Sequence, residues 1–246
     1  MIEQDIEIRA ADGTSDAVFC RPDGEGRWPG VIHLTDIGGI RDAHREMVRR
    51  LAAKGYAVLM PNVFYRSGRP PMFAFTPTMG EERTMKRFAE LAGPLTAEAA
   101  ERDAAYYVDF LAAHDSVGKG SMGVVGYCFT GSMAMRAAAV RPNKIAAAAS
   151  FHGGGLYSDG PASTHHLLPR IKAKLYFGHA TKDPSMPQEA IEKLDSALAA
   201  WGGKYESEVY LGAFHGWTVP GSPVYNQPQA DRAFEKLTQL FAQTLK

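Results

Sequence analysis

Gly123–Ala139 reads GVVGYCFTGSMAMRAAA. A short apolar run stops at Gly126, a tyrosine and a cysteine follow, Gly131 comes next, and an alanine-rich stretch of helical composition closes the segment. That is the order of a buried strand, a tight turn and a helix. A continuous apolar run suits a strand covered on both faces of a parallel sheet. A side chain on the turn that follows is pushed out of the sheet, and glycines on either side let the backbones approach. Cys128 therefore reads as a thiol presented at a strand's carboxyl end, where a helix N-terminus favours the thiolate. The plain alternative is a packing cysteine.

Working outward, the same apolar signature recurs in Gly30–Asp36, Tyr56–Asn62, Met122–Cys128, Ile145–Ser150, Ala173–His179 and Tyr205–Gly212. Gln4–Ala10 and Ser15–Arg21 instead alternate apolar and polar residues around Asp12-Gly13-Thr14, the pattern of an antiparallel pair at a sheet edge. Helical spacing separates the runs: Asp42–Gly55 with Gly55 as its stop, Thr96–His114, Ser132–Pro142, Pro187–Gly203 with Pro187 as first helical residue, and Pro228–Leu245. Strand–helix alternation over most of the chain predicts a doubly wound α/β sandwich, mostly parallel, with helices on both faces. Arg66–Gly80, rich in proline and glycine, reads as a loop over the carboxyl edge.

At 246 residues the chain is expected to form one domain, 1–246. Lys+Arg and Asp+Glu balance at 27 each, which calls for neither nucleic acid nor an anionic membrane. Two cysteines, Cys20 and Cys128, make no disulfide framework and no metal-ligand spacing. The charged opening MIEQDIEIRAADG lacks the apolar core of a signal peptide, and no apolar run approaches the ~20 residues of a membrane span. The expectation is a cytoplasmic protein without metal or cofactor, a monomer or weak homodimer acting on a small molecule.

In an open α/β sheet, ligands bind beyond the carboxyl ends of the strands. Four reactive side chains follow strands: Asp36, Cys128, Asp183 and His215. A nucleophile needs a base, and the base an orienting carboxylate. Cys128, Asp183 and His215 occur in the order nucleophile, acid, histidine. Each is weak alone, since an aspartate before Pro184 is usually a turn residue and a histidine among glycines is usually solvated; the conjunction is specific. His179 stands too close to Asp183 to be the base, His152 is a candidate pocket residue, His33 reads as a core histidine, His165-His166 as exposed and Cys20 as structural.

The stretches GYCFTG, KDPSMP, GAFHGW and SPVYNQPQADRAFEKLTQLF, with TDIGGIRDAHREMVRRLAAKGYAVLMPNVFYR near the start, resemble the dienelactone hydrolase (carboxymethylenebutenolidase) family of α/β-hydrolases. The resemblance spans nearly the whole chain. It implies the α/β-hydrolase fold and a cysteine-dependent hydrolase of esters or lactones acting through a thioester. It implies Cys128 as nucleophile, His215 as proton shuttle and Asp183 as its orienter, with an oxyanion hole from the amides of Phe129 and Ile37. Two positions depart from the family pattern: Thr130 where a glycine is usual, and Asp36 where a glutamate is usual. The equivalent of Asp36 is expected to gate the thiol, holding it protonated until substrate arrives; the alternative is a helix cap near Arg41. A carboxylate on the family's enol-lactone substrate points to Arg83 and Arg87. Trp217, Tyr127 and His152 are further substrate-facing candidates, and the aromatic loop suggests an apolar pocket. Two other readings compete: a promiscuous esterase of aryl or hydrophobic esters, and a redox-sensing or ligand-binding protein on a hydrolase scaffold.

Overall fold

Alternation at the amino end produces a hairpin. β1 (Ile2–Ala10) and β2 (Gly13–Arg21) pair antiparallel, Ile2 opposite Arg21 and Ala10 opposite Gly13. The computed structural model describes residues 1–245. Its other strands are β3 (Gly30–Leu34), β4 (Ala57–Pro61), β5 (Met122–Tyr127), β6 (Ile145–Phe151), β7 (Lys174–Ala180) and β8 (Tyr205–Tyr210). They form an eight-stranded sheet in the order β1-β2-β4-β3-β5-β6-β7-β8. β2 meets β4 antiparallel, and all pairs from β4 to β8 are parallel.

The apolar runs that form β3 to β7 are covered on both faces, whereas Tyr205–Tyr210 makes the partly exposed edge strand β8. β3, β4 and β5 are buried at every position. Alternate side chains serve opposite cores, as strand geometry requires. Ile32 and Val124 pack with Tyr107, Val108 and Leu111 of α3 (Ala97–Ala113), Met133 of α4 (Gly131–Val140) and Leu194 of α5 (Gln188–Trp201). Val31 and Val125 pack with Val48 and Leu51 of α1 (Asp42–Ala52) and with Leu237 and Phe241 of α6 (Gln227–Thr244). The remaining α-helix, α2 (Glu82–Ala92), follows the Pro/Gly segment; residues 66–80 form neither helix nor strand.

Helix ends mostly follow local chemistry. Thr96 Oγ1 accepts the Ala99 amide at 3.2 Å, and Gly202 closes α5 at φ +71°. Two ends differ from the sequence expectation. Pro187 precedes the first helical residue of α5, and α1 stops at Ala52, leaving Gly55 in the turn beyond. The elbow also differs: Cys128–Thr130 is a 3-10 turn, and the α-helix begins at Gly131. Among the described residues no helix is long and apolar enough to cross a membrane.

The order reverses at β3 and β5, which are neighbours although β4 lies between them in sequence. Chains leaving these two strands diverge, opening the crevice in which such folds take ligands. Cys128 stands at the end of β5 and Asp36 just beyond β3, while Asp183 and His215 lie in the loops after β7 and β8.

Candidate active site

Cys128 is half-buried and adopts φ +55°, a left-handed conformation that costs a non-glycine residue about 1–3 kcal/mol unless its surroundings impose it. Here they do. Nδ1 of His152 accepts the Cys128 N–H at 3.1 Å, and the Cys128 carbonyl accepts the Gly154 N–H at 3.2 Å. The turn is tight enough that a Cβ on Gly126 would lie 2.2 Å from the Thr130 carbonyl oxygen. One on Gly131 would lie 2.6 Å from the Cα of Gly153.

The acid and the histidine meet as their order in the chain suggested. His215 Nδ1 is 2.6 Å from Asp183 Oδ2. Asp183 Oδ1 accepts from the Ser185 amide at 2.9 Å and the Ser185 hydroxyl at 2.7 Å, so both carboxylate oxygens are held. Ser185 was not singled out from sequence; its place two residues after an aspartate is the available signal, since aspartates commonly bond to the backbone two residues on. Burial works to raise the Asp183 carboxyl, but the His215 and Ser185 bonds outweigh it and hold it below its ordinary value. Burial works to lower His215. The Asp183 carboxylate and the neighbouring Cys128 sulfur overcome that and raise His215 to about 10. His215 thus has Asp183 bonded at Nδ1 and Cys128 close enough to bear on its charge.

The loop after β3 is built by Asp36. Its carbonyl accepts the Gly39 N–H at 3.0 Å, closing a four-residue turn with Ile37 in the second position. Its Oδ1 accepts the Gly38 N–H at 2.9 Å. Arg41 grips both carboxylate oxygens, at 2.5 and 2.7 Å, and also reaches the Gly39 carbonyl at 3.2 Å. Beneath them, the buried His44 accepts the Asp36 N–H through Nε2 at 3.3 Å, and its Nδ1 lies 2.9 Å from His33 Nε2. Burial opposes the Asp36 charge, but His44 and Arg41 hold the carboxyl well below its ordinary value. Neither expected role matches these bonds. Asp36 does not cap α1, whose N-cap is Arg41, and among the described residues its carboxylate accepts from Arg41 and Gly38, lies 3.4 Å from His44 Nε2 and makes no bond to Cys128. The turn leaves the Ile37 N–H without an acceptor among the described residues. Phe129 lies in the first 3-10 turn, whose leading amides have no partner within the helix.

Three of the substrate-facing candidates lie under the site and do not line it. Trp217 is 0% exposed, His152 1% and Tyr127 4%. Tyr127 stacks on Phe151 and packs against His33; Trp217 packs edge-on against His152 and stacks on Tyr210. Burial is what the sequence could not give, because a residue after a strand can point above the sheet or beneath the loop. Arg87 is a strut: its Nε donates to the Met72 carbonyl at 2.9 Å, and Met72, itself buried, packs against Gly39 of the Asp36 turn. Arg83 is exposed, pairs with Glu81 at 2.8 Å and lies over Phe75. The loop aromatics divide: Phe64 is core, whereas Phe73 contacts Phe75 and Phe88 edge-on.

His33, His179 and Cys20 are buried and structural. His33 and His179 are buried, and burial lowers both, His179 to about 4. His165 is half-buried against Tyr157 within a 3-10 segment, while His166 is exposed. Cys20 is buried, and burial raises its thiol to about 11.

Residues 15–245 match the model of the dienelactone hydrolase family. The carboxymethylenebutenolidase of Rhodococcus opacus is 30% identical over 202 residues, covering 78% of this chain and 73% of that protein. A Salmonella typhi protein provisionally named a carboxymethylenebutenolidase is 28% identical over 234 residues, 92% of this chain and 82% of that one. Among solved structures, a Klebsiella pneumoniae protein provisionally named a dienelactone hydrolase superposes with TM-score 0.86 at 24% identity, covering 98% of each chain. A dienelactone hydrolase-like promiscuous phosphotriesterase from metagenomic libraries superposes with TM-score 0.81 at 20% identity, covering 100% of this chain and 99% of that one. At these identities the structural likeness speaks for the α/β-hydrolase fold.

Proposed function

The chain belongs to the dienelactone hydrolase family and is a hydrolase of ester or lactone bonds; from that premise we propose that Cys128 is its nucleophile, with His215 as proton carrier and Asp183 as the residue that orients it. The observation that carries this reading is the 2.6 Å bond between Asp183 Oδ2 and His215 Nδ1, with Cys128 beside the same imidazole and, together with Asp183, raising it. A single α/β-hydrolase domain over 1–246 is part of the same reading.

The Cys128 sulfur, as thiolate, attacks the carbonyl carbon, and the carbonyl π pair moves to oxygen. The resulting oxyanion faces the amides of Phe129 and Ile37. When the tetrahedral species collapses, the C–O bond to the leaving alkoxide or enolate breaks, and His215 gives that oxygen its proton. Water then attacks the thioester while His215 takes a water proton. The C–S bond breaks and returns the thiolate–imidazolium pair. Asp183 keeps Nδ1 as the donor toward itself and stabilises the imidazolium, remaining ionised throughout.

The test compares wild type with Cys128→Ala on a dienelactone and on p-nitrophenyl acetate. Loss of both activities, by about 10⁶-fold in kcat, is expected when a nucleophile is removed. An acetyl adduct on Cys128 should also be trapped by rapid quenching and peptide mass spectrometry. Equal activity in mutant and wild type would overturn the assignment.

A further inference from the structure

The two arms of the crevice diverge after the last ladder pair of β3 and β5, Leu34 opposite Gly126. Beyond that pair, one arm carries Ile37 and the other Phe129. A single buried hydroxyl spans them. Thr130 Oγ1 accepts the Tyr127 N–H at 3.1 Å, and its proton faces two carbonyls, that of Leu34 at 3.1 Å and that of Tyr127 at 3.1 Å. Thr130 is 0% exposed, so no water competes for these bonds. In effect the hydroxyl adds one side-chain rung to the ladder at the point where the backbones part. Among the described residues it is the one side-chain hydrogen bond between residues 34–41 and residues 127–131.

We propose that Thr130 is a positioning residue for the reaction: its hydroxyl fixes the spacing of the Phe129 and Ile37 amides, and so the fit of the oxyanion between them. The proposal rests on the cysteine-hydrolase reading given above. Phe129 is the residue immediately before Thr130 in the same 3-10 turn. Ile37 is three residues beyond Leu34, in the turn that Asp36 and Arg41 hold rigid. With each arm stiff in itself, their relative placement is the freedom left, and the Thr130–Leu34 bond acts on it. Oxyanion stabilisation is steep in this distance: a missing donor costs about 10²–10³ in rate, and a 1 Å misplacement about 10².

The discriminating measurement sets acylation against alkylation. Acylation by p-nitrophenyl acetate, read from the burst of p-nitrophenol, passes through an oxyanion. Alkylation of the same sulfur by iodoacetamide displaces iodide at a saturated carbon and forms none. In Thr130→Val, which keeps the shape and removes the hydroxyl, acylation should fall about 10- to 100-fold while alkylation stays within about twofold of wild type. Thr130→Ser, which restores the hydroxyl, should acylate like wild type. If the valine variant does not fold, Thr130→Ala against Thr130→Ser makes the same comparison. Wild-type acylation without the hydroxyl would overturn the proposal. So would acylation and alkylation falling together, which would mean that Thr130 holds the thiol, or a serine variant as slow as the hydroxyl-free ones. Cys128→Ala run in parallel separates the two levels. If it still hydrolyses ester, the nucleophile assignment fails and this inference with it. If it is inactive while the hydroxyl-free variants match wild type, only the role of Thr130 fails.

Discussion

His152 accepts the main-chain N–H of Cys128 through Nδ1, at 3.1 Å, and its Nε2 lies 2.8 Å from Thr218 Oγ1. This pairing requires a neutral imidazole with its proton on Nε2, donated to Thr218. Burial first, and the neighbouring His215 second, push the His152 pKa down to about 3. The strained turn at Cys128 therefore hangs on a histidine that must not charge.

The sign of the resulting pH dependence follows. A histidine with a pKa near 6.5 unfolded and about 3 folded binds more protons in the unfolded state between those values. Its contribution is intact above about pH 6.5 and is lost as pH falls toward 3. In His152→Gln, whose amide can still accept one bond and donate another, the acid slope of stability should be shallower by up to about 1.4 kcal/mol per pH unit. Urea midpoints between pH 7 and the onset of acid unfolding measure this. A slope unchanged from wild type would mean that His152 does not titrate on unfolding.

His215 predicts the opposite limb. The Asp183 and Cys128 contacts overcome burial and raise it to about 10, so it stays an imidazolium through neutral pH. The proposed mechanism needs His215 as the imidazolium, so under it kcat/KM should fall as pH rises through about 10. Asp183→Asn removes the anion that supports the charge; the limb should move to lower pH and kcat should drop by about 10⁴-fold. The stability this pair lends is complete below about pH 6.5 and gone above about 10. Activity that climbs steadily to pH 10 would instead make neutral imidazole the working form.

Gly126 tests the elbow itself. A methyl group there would sit 2.2 Å from the Thr130 carbonyl oxygen and 3.1 Å from the Gly131 Cα, both backbone atoms that no rotamer change can move. Gly126→Ala should therefore lose Cys128-dependent hydrolysis and lower stability by more than about 3 kcal/mol, beyond the ordinary range for one substitution. Thermal melting together with ester assays checks both. A well-folded, active alanine variant would show that the turn is less tightly closed than these distances require.

Strand positions from β3 to β7 were legible because a parallel strand buried on both faces needs an unbroken apolar run, and each run from Gly30 to His179 became a strand to within about two residues; the edge strand β8, YESEVY, alternates instead and is only partly buried. The proposed catalytic residues Cys128, Asp183 and His215 could be picked out because each follows a strand, and such loops converge on one edge. What lay beyond reading was side-chain direction inside those loops. Tyr127 and Trp217 stand beside Cys128 and His215 in the chain, and His152 follows the neighbouring strand, yet all three are buried, packed against Phe151, Tyr210 and one another. Asp36 shows the same limit. Its position pointed toward the thiol, but its charge was claimed by Arg41, five residues on, through a turn signalled only by Gly38-Gly39. Thr130 was visible as an odd residue at the elbow; that its hydroxyl reaches a carbonyl on another strand was not.

The Asp36–Arg41 pair yields the last expectation, because two roles for Asp36 predict different observables. If its carboxylate acted on the thiol, Asp36→Asn would remove a like charge and move the pH dependence of Cys128 alkylation toward lower pH. In this fold the carboxylate is matched by a guanidinium at 2.5 and 2.7 Å, so its field at a distance is that of a nearly neutral pair. The alkylation profile should stay where it is. What should change is the turn that presents the Ile37 amide: with weaker bonds to Arg41 and Gly38, acylation should slow about 10-fold or more, since a displaced oxyanion donor is costly. Arg41→Gln should act in the same direction. Its effect on stability should be no more than about 1–2 kcal/mol, because the Arg41 side chain is 37% exposed and water screens the lost pairing. Iodoacetamide alkylation across pH, run beside the p-nitrophenyl acetate burst on both variants, reads the two effects separately. A shifted alkylation profile with unchanged acylation would return Asp36 to the role of a gate on the thiol.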